Sequence, residues 1–296
     1  MRGFFLPVTR APFYQPDRRH QYPDPWQPCY HCPVRPLILP TPGGNLCRMA
    51  AFDHEDSSYS IREDLGRAYR AYWEALASPG SWWTGAERVA IAREVRNATD
   101  CGYCRARRKT LSPYNFPGSH DHSGGLPDIA VDAVHRIITD QNRITQAWID
   151  DNAENGLGEE HYVELLGVAV TVFSIDEFHR ALGLPLEPLP EPLPGEPDHY
   201  RPMTAQKGTG FVSMLPVKGE FTERERGLWP SGRGPNVLRA LSLVPDAVRA
   251  WYGVAGAQYL PLQAMTRFSG DLGRSIDRMQ MEIVAGRVSS YNECFY

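Results

Sequence analysis

Ala86-Glu87-Arg88-Val89-Ala90-Ile91-Ala92-Arg93-Glu94-Val95-Arg96 leads through Asn97-Ala98-Thr99-Asp100 into Cys101-Gly102-Tyr103-Cys104. Val89, Ile91, Ala92 and Val95 are the apolar positions of a helix, so a Cys-x-x-Cys pair stands where that helix ends. Thr99 or Asp100 can cap a further helix beginning at Cys101. The chain stops on a partial echo of the same pair, Cys294-Phe295-Tyr296.

Working outward, the pattern stays helical. Ile61, Leu65, Ala68, Tyr69, Tyr72, Trp73 and Leu76 recur at three- and four-residue steps until Pro79-Gly80. After the dithiol, residues 113–125 read as a loop rich in Pro, Gly, Ser and His. Residues 128–139 and 144–152 read as helices, and a long helix opens at Gly158 and ends near Gly183 and Pro185. Helical pattern returns at Pro235-Asn236-Val237-Leu238 and continues over 246–259 and 276–290. No stretch alternates with period two, so the fold class expected is all-α.

Four segments follow. Residues 1–50 are crowded with proline, arginine and aromatics and read as a disordered segment. Residues 51–184 form a first helical unit. Residues 185–232 begin as a stiff, polyproline-like linker, and residues 233–296 form a second, shorter helical unit. Met49 is an alternative start, since ordered-looking sequence begins just after it. Within residues 1–50, Cys29, His31, Cys32 and Cys47 are zinc-ligand types, but Pro28 and Pro33 flank the pair and no second paired knuckle follows.

Composition narrows the function. The 296 residues are 42% hydrophobic, enough for a sizeable core. A net charge of -4 and a pI near 6.1 give no electrostatic reason to expect nucleic acid or an anionic membrane surface. No apolar run approaches the ~20 residues that span a bilayer. Six cysteines are too few for a disulfide scaffold in a chain this long, which points to a reducing cytoplasm. Gly43-Gly44 and Gly124-Gly125 are isolated pairs rather than a phosphate loop, so no cofactor is expected.

The two halves echo one another. Arg70-Ala71-Tyr72-Trp73 matches Arg249-Ala250-Trp251-Tyr252. Aligning Cys101 with Cys294 also pairs Ala92 with Ala285, Val95 with Val288 and Tyr103 with Tyr296. These matches favour two tandem repeats, the second stopping inside its cysteine motif.

A cysteine in the first turn of a helix meets unpaired N–H groups and the positive end of the helix dipole, which favour its thiolate. A second cysteine three residues on can close a disulfide once the first is oxidised. Cys101 and Cys104 fit, with Arg105, Arg107, Arg108 and Lys109 following at once. A zinc site here needs two further ligands, and His120 and His122 are the close candidates. No metal is expected here.

These stretches, with Tyr162-Val163-Glu164-Leu165-Leu166-Gly167-Val168 and Glu282-Ile283-Val284-Ala285, resemble the alkylhydroperoxidase D-like (AhpD-like) and carboxymuconolactone decarboxylase superfamily. The resemblance covers about residues 58–184 and 233–296. It implies an all-helical bundle assembled as a homo-oligomer, and a peroxidase that reduces small hydroperoxides with its dithiol. It also implies an external thiol reductant, a lipoyl or thioredoxin-like protein. By the same carry-over Cys104 attacks and Cys101 resolves. The family places a glutamate twelve residues before the first cysteine and a histidine four after the second, as a proton relay. Val89 and Arg108 stand there instead. Arg108 can stabilise a thiolate but cannot shuttle protons near neutral pH. Glu87, Glu94, His120 and His122 are possible substitutes. In the second half Glu282 does stand twelve before Cys294, so both join the catalytic candidates. Two other readings remain open, a non-redox lyase of the decarboxylase branch and a degenerate helical oligomerisation or binding protein.

Overall fold

The computed structural model describes residues 51–229, 232, 234–265 and 267–291. The described residues are helical, with no β-strand among them beyond one antiparallel bridge between Gln206 and Met214. The cysteines of the N-terminal segment, Met49 and Cys294 lie outside the described residues.

Helix α1 (Glu63–Ala77) buries Leu65, Tyr69, Tyr72, Trp73 and Leu76 along one face. It ends at Ser78, just before Pro79-Gly80. Helix α2 (Gly85–Asp100) is started by a capping box. Thr84 Oγ1 accepts from the Glu87 N–H at 3.3 Å, and Glu87 Oε2 accepts from the Thr84 N–H at 2.9 Å. α2 runs four residues further than the apolar pattern indicates, through Asp100. Neither Thr99 nor Asp100 caps the next helix. Cys101 is itself the N-cap of α3 (Gly102–Arg108) and contributes no side-chain cap bond. Its backbone N–H is bonded to Ala98 O at 3.3 Å, because it closes the last turn of α2.

Helix α4 (Asp128–Thr139) is entered through Pro127 and buries Ala130, Val131, Ala133, Val134 and Ile137. α5 (Gln146–Glu154) leads into α6 (Glu159–Ala181), which carries Val163, Leu165, Val168, Ala169, Val172 and Ile175 into the interior. α6 ends in a Schellman motif: Leu184 N–H donates to His179 O and Gly183 N–H to Arg180 O, with Gly183 at φ +69°. Helices α2, α4 and α8 (Pro245–Gln258) pack around α6, and α1 packs on α2 and α8. A single turn, α7 (Asn236–Arg239), precedes α8, and α9 (Arg278–Tyr291) closes the described chain.

The described residues of 185–235 contain no helix, yet they are not a free tether. Leu193 N–H donates to Ala77 O and His199 N–H to Ser81 O, both at 2.8 Å. Val212, Met214, Leu215, Leu228 and Trp229 are buried. Proline removes backbone donors and so precludes regular structure here, but it does not prevent burial of the intervening apolar side chains. The matched tetrapeptides lie on α1 and α8, which pack against each other, and Leu243, Val244 and Val254 share one apolar core with the helices of the first half.

Candidate functional site

The α2–α3 joint, the loop after α3 and helix α4 bring four donor groups together. The sulfurs of Cys101 and Cys104 and one nitrogen each of His120 and His135 all lie within 4.8 Å of one another. Both cysteines are 1% exposed and neither is in a disulfide. Cys104 Sγ lies 3.2 Å from His135 Nδ1 and 3.4 Å from His120 Nδ1. Cys101 Sγ lies 3.8 Å from His120 Nδ1.

Each imidazole is held from behind by a carboxylate. His135 Nε2 is 3.2 Å from Glu94 Oε2, and His120 Nε2 is 2.9 Å from Asp132 Oδ1. An ionised carboxylate only accepts hydrogen bonds, so in neutral histidine Nε2 carries the proton. The unprotonated Nδ1 of both rings then faces the sulfurs. Burial holds the His135 pKa down to about 4, so its contact with Glu94 joins a neutral imidazole to a carboxylate and is not an ion pair. For Glu94, burial alone raises the pKa. The N–H and hydroxyl of Ser123, at 2.9 and 2.8 Å, together with His135 and Asn97 outweigh it and hold the carboxyl ionised. Asp132 is also held well below the usual carboxylate range despite its burial. It accepts from His120, from Arg136 Nε at 2.7 Å and from Arg107 Nη1 at 2.5 Å.

Arg107 is fully buried. Its Nη2 stands 4.0 Å from Cys104 Sγ, and its guanidinium lies 5.4 Å from the Tyr103 ring centre. Burial pushes the Cys104 thiol up to about 12, so it rests as the thiol. This corrects the expectation of a helix-end thiolate, because desolvation outweighs the charges nearby.

The loop between α3 and α4 covers the site. Tyr103 OH donates to Phe116 O at 2.8 Å, and Gly118, at φ +132°, lies close against the Tyr103 ring. A Cβ at Gly118 would stand 2.7 Å from that ring. Gly124 and Gly125 also take positive φ, which turns the chain so that Ser123 meets Glu94 just before α4 begins.

Of the residues singled out in the sequence, Cys101, Cys104, Glu94 and His120 meet here. Glu87 is occupied as the capping-box residue of α2. Arg108 is exposed, and its neighbour Arg107 takes the inward place. His122 is exposed and accepts from the Gly124 N–H at 3.2 Å. Glu282 lies on α9, accepting from Tyr259 OH at 2.5 Å and pairing with Arg278. His135 and Asp132 were not anticipated, and Arg107 was singled out only as one of four basic residues that follow the dithiol. The signal for His135 and Asp132 is an aspartate and a histidine three residues apart among the apolar positions of α4. Among the described residues no helix is long and apolar enough to cross a membrane. Comparison with family models, curated proteins and solved structures finds no match to this chain.

Proposed function

We propose that the protein is a dithiol oxidoreductase that reduces small hydroperoxides, with Cys104 as nucleophile and Cys101 as resolving thiol. One observation carries the reading: Cys104 Sγ, His135 and Glu94 form a nucleophile–base–carboxylate line with contacts of 3.2 and 3.2 Å. It supplies in space the proton relay that Val89 and Arg108 do not supply in sequence.

Cys104 Sγ attacks the terminal peroxide oxygen. An S–O bond forms as the O–O bond breaks, and the Cys104 proton passes through His135 Nδ1 to the departing alkoxide, giving the alcohol. Cys101 then attacks the Cys104 sulfenic sulfur. The S–S bond forms and water leaves, with His120 Nδ1 placed to take the Cys101 proton. Arg107 stabilises the negative charge that develops on Cys104. An external dithiol, of lipoyl or thioredoxin-like type, returns the disulfide to two thiols.

The same reading includes a duplicated helical origin, supported by the matched tetrapeptides on α1 and α8, and a setting in the reducing cytoplasm. It also includes association into a homo-oligomer. Met279, Ile283, Val284, Val288 and Tyr291, all exposed on α9, support this last element.

Thiol mapping by mass spectrometry tests the reaction on reduced, chelator-stripped protein before and after one equivalent of an organic hydroperoxide. The expected product is a Cys101–Cys104 disulfide. It is abolished in Cys104→Ser and slowed by roughly a hundredfold in His135→Asn. Free thiols at both positions after exposure would refute the proposal.

A further inference from the structure

The four donors that meet at the dithiol have a second chemical meaning. Two thiols and two imidazoles are a zinc-ligand set, and each ring already presents Nδ1 inward with Nε2 held by a carboxylate. That arrangement fixes ring orientation before any ion arrives. A tetrahedral ion with bonds of about 2.3 Å to sulfur and about 2.0 Å to nitrogen separates S and N by roughly 3.6 Å. The three S···N distances here, 3.2, 3.4 and 3.8 Å, bracket that value.

Charge also fits. The surrounding groups balance before loading, Arg107 and Arg136 against Asp132 and Glu94. A divalent ion bound by two thiolates adds no net charge to this buried place. The four ligands come from the α2–α3 joint, α3, the covering loop and α4. The ion would therefore tie together segments that are distant in sequence and that already meet through packing of α2 and α3 on α4 and through hydrogen bonds from the loop.

We infer that Cys101, Cys104, His120 and His135 form a closed, four-ligand site for Zn2+, and that zinc and hydroperoxide compete for the dithiol. The second clause rests on the function proposed above. Zinc occupies the lone pairs of Cys104 and His135 that the peroxide reaction uses, so the loaded site is protected. When oxidant does react, two thiolates become one disulfide, the hydroperoxide and two protons become alcohol and water, and Zn2+ is released.

The test uses the full chain, reduced and stripped with a chelator. Residues 1–50 and 292–296 contribute further cysteines, so the measurement is made beside a variant in which Cys29, Cys32, Cys47 and Cys294 are serine. Titration with Co2+ is expected to give one equivalent with thiolate-to-cobalt charge transfer and tetrahedral d–d bands, in both proteins, displaced by Zn2+. Cys104→Ser and the loop variant His120→Asn are expected to lose or alter those bands while keeping their far-ultraviolet dichroism. An absent signal, or one unchanged in folded Cys104→Ser, overturns the site. One equivalent of Zn2+ is expected to slow hydroperoxide-driven Cys101–Cys104 disulfide formation at least tenfold, and an unchanged rate overturns the competition. A metal-free chain inert to hydroperoxide, together with the tetrahedral cobalt spectrum, refutes the peroxidase reading and the competition clause and leaves the zinc site supported.

Discussion

Asp132 carries more of the site than either cysteine. It accepts from His120, Arg107 and Arg136, and one of those partners, Arg107, has no contact with water. Removing one member of a buried ion pair leaves the other charge stranded, at a cost of about 3–5 kcal/mol. Asp132→Ala is therefore expected to lose stability of that order in urea denaturation. The double variant Asp132→Ala with Arg107→Met should recover part of it, because it removes the stranded charge. Glu164 makes a second case away from the site. Burial raises its pKa, opposed by Arg88 and the N–H groups of Trp82 and Ser81. A raised carboxyl binds its proton more tightly in the fold than in the unfolded chain. Its contribution to stability is then fully present below the unfolded-state pKa and is lost as pH rises from that value through the folded one. Stability curves of the native protein and Glu164→Gln should diverge over that window, the native protein losing more as pH rises. Parallel curves would count against the raised pKa.

At the scale of elements, the loop between α3 and α4 decides whether the thiols are covered. Its closure depends on Gly118, which presses on Tyr103 at a φ that side chains rarely adopt. Gly118→Ala should cost about 1–3 kcal/mol by strain. It should also speed alkylation of Cys101 and Cys104 by a maleimide, since the loop must lift to make room. Unchanged alkylation would mean that reagents reach the thiols by another route. The helices themselves were largely legible in the sequence. Residues 128–139 read as a helix and form α4, and the long helix after Gly158 and its stop at Gly183 fall where glycine and apolar spacing put them. The α2–α3 joint was legible as a break at Cys101, but its cap and the true end of α2 were not. That end depends on Cys101 closing one helix while opening the next, and residues 97–100 contain nothing that breaks a helix.

In the molecule as a whole, the helices of both halves and the proline-rich stretch share their interior. The main core runs from Phe52 to Ala257, and a smaller cluster around Leu215, Leu228 and Leu238 joins it through Leu166 and Ala247. Shared packing of this kind couples unfolding of the parts. Calorimetry should give one cooperative transition for the described helices, and Leu215→Ala should lower its midpoint by removing about 2–5 kcal/mol of packing. A separate early transition for the region after residue 184 would instead mark an independent second unit.

The sequence by itself determined the all-helical class, most helix boundaries and the closeness of Cys101 to Cys104. Apolar spacing, prolines, glycines and a Cys-x-x-Cys step are local properties that survive without neighbours. Only the tertiary structure decided which charged and imidazole groups serve the dithiol. His135, thirty-one residues beyond Cys104, and Glu94, forty-one before His135, are joined by the packing of α2 on α4, and local spacing carries no trace of that contact. It decided too that Arg107 turns inward while Arg108 faces solvent. α3 is short, and the one face it buries is set by the helix beneath it.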